Sequence, residues 1–258
     1  MQRILVVVFI LHVLGWGLLT QFGDNKLALT SGVLAYILGL RHAFDADHLV
    51  AIDATTRKLI HEHKDSHGVG FFFSLGHSTI VFAATALSIA GLGNIANDLM
   101  NEQSVLKLSG AFIGTLFAAI FLIIIGIYNL YSFFRILYMS HSHTHGLFSR
   151  FIKPVNSAKS MYLVGLLFGL GFDTATSVAF LSLSITSNIA SNLIFAALAI
   201  PIIFASGMIL GDTLSGFIMS QSMQWAVSQD RRRIYNLVLT GVATTFSLLI
   251  GVSLLFEL

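Results

Sequence analysis

The sequence predicts an all-α membrane protein, a polytopic bundle of about seven transmembrane helices that forms one domain over residues 1–258. Of the residues, 55% are hydrophobic and only 10% are charged, whereas soluble domains carry about 25% charged residues. The mean hydropathy is +0.84. The apolar runs are continuous and long enough for helices that cross a bilayer, unlike the ~10-residue alternating segments of a membrane barrel.

Seven apolar segments divide the chain. They lie at residues 3–22, 28–58, 69–91, 108–138, 160–185, 189–219 and 235–257. The first is long for a signal peptide and lacks a small-residue cleavage site, so we expect it to be retained. Several segments exceed the ~20 residues needed to cross a bilayer, and tilts or kinks can use the excess. The weakest boundary is that between the fifth and sixth segments, where only residues 186–188 (TSN) interrupt the apolar run.

The distribution of Lys and Arg predicts the orientation. With seven spans, the N-terminus shares one side of the membrane with the second, fourth and sixth connections. The basic residues on that side are Arg3, Arg57, Lys58, Lys64, Arg135, Arg150, Lys153, Lys159, Arg231, Arg232 and Arg233. The opposite side holds Lys26 and Lys107. Because cytoplasmic loops are enriched in Lys and Arg, we predict a cytoplasmic N-terminus and a C-terminus outside.

Two features of the composition limit the chemistry. The chain has no cysteine, which excludes thiolate ligands, disulfides and thiol redox reactions. Any bound metal must therefore be held by nitrogen and oxygen, with methionine as the one source of sulfur. The net charge is only +2, so nothing indicates a nucleic-acid partner. The lipid bilayer is the expected surrounding, and the oligomeric state is left open.

Residues 41–48 (RHAFDADH) place five ionisable side chains inside the second apolar segment. They are Arg41, His42, Asp45, Asp47 and His48. Each ionisable group at bilayer depth costs at least about 2–3 kcal/mol on insertion scales, so the cluster indicates a function. Two imidazoles and two carboxylates suit a divalent transition metal. The structural alternative is a salt-bridge network in which Arg41 neutralises the carboxylates.

Helical geometry predicts how this cluster is arranged. On a regular helix, at about 100° per residue, His42, Asp45 and His48 share a face, and Asp53 lies near His42. Asp47 points about 100° beyond His48. We therefore expect a regular helix that supplies part of a coordination shell, with Asp47 facing another neighbour. If the helix unwinds here, all four ligands can converge.

Two histidines in other spans are candidates to complete the shell. His77 lies in residues 73–79 (FSLGHST), beside Ser78 and Thr79, and His12 lies in the first span. The structural alternative for each is a hydrogen bond to a neighbouring helix. We expect His77 to contribute a ligand and treat His12 as a weaker candidate.

Single acids in the later spans indicate a cation pathway. Asp173-Thr174 and Asp212-Thr213 each lie in a glycine-containing stretch, and such interrupted segments are typical of transporter binding sites. By the division above, Arg41 is the one cation inside a span, so it cannot pair all the intramembrane acids. The remaining acids must be protonated, hydrated or bound to a cation.

Four motifs together resemble the nickel/cobalt transporter family of secondary permeases. They are residues 41–48 (RHAFDADH), 75–79 (LGHST), 170–176 (LGFDTAT) and 207–213 (GMILGDT). The resemblance implies a transporter, not an enzyme, that takes up Ni(II) or Co(II) as its substrate across the prokaryotic cytoplasmic membrane and carries no prosthetic group. It implies central roles for His42, Asp45, Asp47 and His48, with His77 as a second-helix contributor. His12 would then be the first-span residue associated with metal preference.

The chain departs from the family pattern at three points. The third motif usually ends in Glu, where this chain has Ser177, and the fourth usually carries another acid, where it has Ser215. Members commonly have eight spans, whereas seven are predicted here. The acidic roles of those two motifs therefore do not transfer directly to this chain.

Other functions stay open at this stage. Efflux is the nearest, because histidines on the predicted cytoplasmic loops could capture internal metal. These are His61, His63, His67, His141, His143 and His145. A di-iron membrane enzyme is a poorer fit, because the span histidines do not lie at one membrane face. A substrate-binding subunit of an energised importer is a third alternative, although this chain has no Gly-x-x-x-x-Gly-Lys nucleotide loop.

Overall fold

A computed structural model describes residues 2–22, 25–89, 98, 101, 103–138, 155–171, 178–179, 197–227 and 233–258. Over these residues the regular structure is helical, without strands. The α-helices are α1 (Gln2–Leu19), α2 (Lys26–His42), α3 (Ala46–His61), α4 (Val69–Ile89), α5 (Val105–Tyr138), α6 (Met161–Phe168), α7 (Ala199–Val227) and α8 (Arg233–Phe256). Short 3₁₀ turns extend α1 at Thr20–Phe22 and flank α6 at Ala158–Ser160 and Gly169–Gly171.

The predicted polytopic helical bundle is confirmed. Within the described residues, five helices are long and apolar enough to cross a membrane, or six if the bent pair α2–α3 forms one span. Much of the predicted fifth segment and the start of the sixth fall on residues 172–177 and 180–196, outside the described residues. The count of seven and the orientation of the termini therefore stay predictions.

The second predicted span is not one regular helix. α2 ends at His42, α3 begins at Ala46, and the two axes differ by 50°, so the expectation of a continuous helix was wrong. The N–H of Phe44 bonds to the carbonyl of Arg41, which tightens the last turn of α2. Asp45 then adopts an extended conformation as the N-cap of α3, a position that Asp favours. Its side chain makes no capping bond and is held instead by His42.

α7 is the central helix of the described bundle, because it packs against α1, α2, α3 and α4. Glycines on its neighbours allow this close approach. A Cβ on Gly39 of α2 would overlap the carbonyl of Phe204, and one on Gly70 of α4 would overlap the carbonyl of Asp212. Small residues let helix backbones approach in this way in membranes. These contacts fix α2 and α4 in register with α7.

α4 makes a second close contact, with α6. A Cβ on Gly76 would overlap the carbonyl of Tyr162, and one on Gly165 would overlap the carbonyl of Phe73. α4 is therefore packed against α7 on one side and α6 on the other. Because Gly76 directly precedes His77, this packing sets the position of that histidine.

Candidate metal site

The break in the second span and the packing of α4 bring three histidines together. His42 ends α2, His48 lies in the first turn of α3, and His77 lies on α4. One nitrogen from each ring lies within 4.8 Å of the other two. His48 is 1% exposed and His77 is 5% exposed. Within the described residues, this is the one group of three or more histidine or acidic side chains arranged to hold a metal.

The closest approach is between Nε2 of His42 and Nε2 of His77, at 3.2 Å. For metal–nitrogen bonds of about 2.1 Å, two neighbouring ligand nitrogens lie about 3.0 Å apart at a right angle and about 3.4 Å apart at the tetrahedral angle. The observed separation falls between these values. The His42–His77 edge therefore matches one edge of a metal coordination shell.

Carboxylates lie beside the other ring nitrogen of two of these histidines. Oδ2 of Asp45 lies 2.7 Å from Nδ1 of His42. Oδ2 of Asp212, on α7, lies 3.4 Å from Nδ1 of His48. In metal sites, ligating histidines commonly donate their second N–H to a carboxylate in this way, which fixes the tautomer and the ring orientation.

His77 and His48 are also held by packing. The Phe73 ring meets the His48 ring edge-on, with 4.8 Å between centroids, and the His48 and His77 centroids lie 4.9 Å apart. Nδ1 of His77 is buried and has no hydrogen-bond partner within the described residues. The cluster is thus compact and largely closed to solvent.

The histidines border a cavity of about 430 Å³. Arg41, Asp45 and Asp47 line it as well. The expectation that Asp47 faces a different neighbour was therefore wrong, because the bend turns the first turn of α3 toward the cavity. Oδ1 of Asp47 accepts a hydrogen bond from the N–H of His48 at 3.0 Å. Arg41 lies 3.6 Å from Asp45, and its side chain is 75% exposed.

His12 lies apart from this cavity. Its Nδ1 is 2.8 Å from the carbonyl of Val8, and its Nε2 is 3.3 Å from the hydroxyl of Tyr36 on α2. It is in neither the group of three histidines nor the cavity lining. In this structure its link to the site runs through α2.

Of the other predicted support residues, Ser78, Thr79, Asp212 and Thr213 are described, and none of the four is in the cavity lining. Ser78 and Thr213 are buried. The hydroxyl of Thr79 donates to the carbonyl of Leu75 and lies 3.2 Å from the hydroxyl of Tyr162, so it helps to join α4 to α6. Asp173 and Thr174 lie outside the described residues.

Asp53 has a cation of its own, which corrects the charge count made from the sequence. Nε of Arg57 donates to both carboxylate oxygens of Asp53, at 3.0 and 2.8 Å. Arg57 is only 1% exposed, and Nη1 donates to the sulfur of Met223 on α7. Arg41 is therefore not the one cation inside the span. Asp53 belongs to this ion pair at the α3–α7 interface and not to the histidine cluster.

In the loop between α3 and α4, an acidic side chain pairs with a histidine of the same loop. Asp65 accepts hydrogen bonds from the backbone N–H and Nδ1 of His67, at 2.8 and 2.6 Å. Partial burial alone would raise the pKa of Asp65, but these hydrogen bonds lower it below its ordinary value. The side chain of His61 and residues 141–145 lie outside the described part of the chain.

Two residues that line the cavity were not predicted from the sequence. Glu257, at the end of the last apolar segment, and Thr115 on α5 both line it. The signal for Glu257 was available, because an acid that ends an apolar span stands out. Thr115 gave no signal, since a hydroxyl residue on a membrane helix is ordinary.

Comparison with known proteins identifies relatives of the whole chain. The family model described as a high-affinity nickel-transport protein matches residues 28–258. The nickel transporter NicT of Mycobacterium tuberculosis is 40% identical, over 95% of this chain and 73% of that protein. The nickel transporter NixA of Staphylococcus aureus is 38% identical, over 98% and 80%. The cobalt transport protein NhlF of Rhodococcus rhodochrous is 36% identical, over 95% and 76%. No solved structure matches.

Proposed function

This chain belongs to the high-affinity nickel-transport family, and on that premise we propose that three imidazoles form the intramembrane site of its transport cycle. The chain is a multi-pass cell-membrane permease for uptake of nickel or cobalt. The observation that carries the assignment of the site is the convergence of His42, His48 and His77, whose ligand nitrogens lie within 4.8 Å of one another.

The ligand set suits a borderline divalent ion such as Ni(II) or Co(II). Imidazole nitrogen binds these metals well, and a chain without cysteine can offer no thiolate. Asp47 lines the same cavity and supplies carboxylate oxygen. Oδ2 of Asp45 contacts Nδ1 of His42, so the role of Asp45 is to hold that ring. Its second oxygen can also bind metal.

The broken helix favours a cation at this position. Removing a divalent ion from water is costly unless nearby negative charge compensates. The C-terminus of α2, with the negative end of its dipole, and the N-terminus of α3, with the positive end, both lie at the cavity. The two dipoles oppose each other, so the compensating negative charge comes from Asp45 and Asp47. Discontinuous helices provide such cation sites in other secondary transporters.

Metal preference cannot come from affinity alone, because Cu(II) binds nitrogen ligands more tightly than Ni(II) or Co(II). The geometry of the shell must contribute. His12 contacts Tyr36, which lies on the same helix as His42. We therefore propose that His12 influences selectivity through the position of α2.

Uptake of radioactive nickel by liposomes that contain only the purified chain tests this function. We expect accumulation without ATP, and its loss in His42→Ala. The matched control is His67→Ala, which removes a histidine from the α3–α4 loop and should leave accumulation unchanged. Equal accumulation in wild type and His42→Ala would refute the site. In cells under excess nickel, expression should increase sensitivity, and protection would indicate efflux.

A further inference from the structure

Asp212 is a buried carboxylate that the coordination scheme above does not use. It lies on α7 with 0% exposure. Neither oxygen makes a hydrogen bond within the described residues, and Nδ1 of His48, which lies 3.4 Å from Oδ2, makes none either. A carboxylate at this depth is costly unless it is paired. The imidazole of His48 is the basic group beside it, and the hydroxyl of Ser74 on α4 also faces it.

The location of Asp212 separates it from the cavity. Asp212 is not among the residues that line the cavity, whereas His48 is. The imidazole of His48 therefore lies between the carboxylate and the cavity. Since Nδ1 is the ring nitrogen that lies 3.4 Å from Asp212, Nε2 is the nitrogen left to bind an ion.

The backbone around Asp212 is held in register with a second ligand. Gly70 of α4 packs directly on the carbonyl of Asp212, and His77 lies about two turns further along the same helix. This contact between α4 and α7 thus sets the position of the Asp212 backbone relative to His77.

We propose that Asp212 is a positioning residue that accepts the Nδ1 proton of His48 and thereby directs Nε2 of His48 at the transported ion. The inference rests on the proposed function. It repeats the arrangement of Asp45 and His42, in which the carboxylate lies 2.7 Å from Nδ1. Two of the three histidines are then fixed by a carboxylate at the nitrogen that does not bind the ion, which is the usual support of ligating histidines.

Binding of Ni(II) to the purified full-length chain, measured by calorimetry, tests the role of Asp212. Loss of such a support typically weakens metal affinity by about 10–100-fold, and we expect this for Asp212→Ala. Asp212→Asn should recover much of the affinity, because its amide oxygen accepts the same N–H. Ser206→Ala removes another buried polar group from α7 and is the control, with unchanged affinity.

A double-mutant cycle separates positioning from direct contact with the ion. In a His48→Ala background, which keeps His42 and His77, Asp212→Ala should cause no further loss of affinity. An equal loss in both backgrounds would show that Asp212 acts on the ion itself and would overturn the proposal. Unchanged affinity of Asp212→Ala in the otherwise wild-type chain would also overturn it.

Two further measurements distinguish a lost positioning role from a general loss of stability and from failure of the proposed function. The Co(II) absorption spectrum should be retained in Asp212→Asn and altered in Asp212→Ala, a difference that a general loss of stability would not produce. Failure of the wild-type chain to bind Ni(II) would refute the proposed function and this inference with it. Wild-type binding with an insensitive Asp212→Ala variant would refute this inference alone.

Discussion

Nε2 of His42 and Nε2 of His77 lie 3.2 Å apart, although the two residues are separated by 35 positions and lie on different helices. Two neutral imidazoles at this distance share a single proton, or both lone pairs meet a common cation. Because Asp45 engages Nδ1 of His42, Nε2 of His42 keeps its lone pair. That lone pair can accept the Nε2 proton of His77, and a bound cation would take the place of the proton. This pair is the basis of the first prediction.

Replacing His77 by Ala should weaken Ni(II) binding by at least about 100-fold, more than the loss of an outer support, because it removes one coordinating nitrogen. Calorimetry on the purified chain measures the affinity. His63→Ala, which changes a loop histidine, is the control and should bind as the wild type does. A His77→Ala variant with wild-type affinity would show that the 3.2 Å contact is only a packing hydrogen bond.

Two variants of Asp45 should distinguish its hold on the His42 ring from the effect of its charge or of direct ligation. Asp45→Asn keeps an acceptor for Nδ1 of His42 and a residue that favours the N-cap position, so the loss of Ni(II) affinity should be small. Asp45→Ala removes both, and we expect a loss of about 10–100-fold. If Asp45→Asn binds as weakly as Asp45→Ala, the charge or direct ligation by Asp45 matters more than its hold on His42.

Gly76→Ala should destabilise the protein, because the new Cβ would meet the carbonyl of Tyr162 across the α4–α6 contact. Overpacking of this kind costs roughly 1–3 kcal/mol. The measurement is the melting temperature of the purified chain. Gly17→Ala is the matched control, since a Cβ at Gly17 meets no neighbouring atom. Equal melting temperatures for the two variants would contradict the packing described for α4.

Arg57→Met should leave the Asp53 carboxylate without its buried cation. Breaking one side of a buried pair typically costs about 3–5 kcal/mol, so the melting temperature should fall well below that of the wild type. The double variant Asp53→Asn, Arg57→Met should regain much of the loss, because the unpaired charge is gone. A double variant no more stable than Arg57→Met would mean that Arg57 stabilises the chain chiefly through its contact with Met223.

Replacing Glu257 should lower the rate at which the ion associates with the site. Its carboxylate lines the same cavity as the histidines, and a negative group at the mouth of a cleft raises the rate of cation association. We expect Glu257→Gln to lower the rate of nickel uptake at low ionic strength and to lose this effect at high ionic strength. An effect that is independent of salt would indicate a direct ligand.

Much of the site could be predicted from local sequence. His42, His48 and His77 were identified from residue type and apolar surroundings, because ionisable groups in a membrane span are rarely there without a function. The break between α2 and α3 could not be derived from the sequence, because ideal helical geometry assumes a continuous helix. The Asp at position 45 was the available signal, as Asp is favoured at a helix N-cap.

Pairings across the fold were beyond local sequence. Arg57 lies near the end of an apolar segment, where a long basic side chain ordinarily reaches water. In the structure it is covered by Met219 and Met223, more than 160 positions away. The contact between His48 and Asp212 depends on the same α3–α7 packing. No periodicity within either segment encodes these contacts.

X-ray absorption spectroscopy of the Ni(II)-loaded, purified chain tests most directly whether the three histidines bind the ion. We expect His42, His48 and His77 all to contribute imidazole nitrogen to the nickel shell, and His77→Ala to remove one imidazole from it. A shell of oxygen alone, or a shell that His77→Ala leaves unchanged, would contradict this expectation.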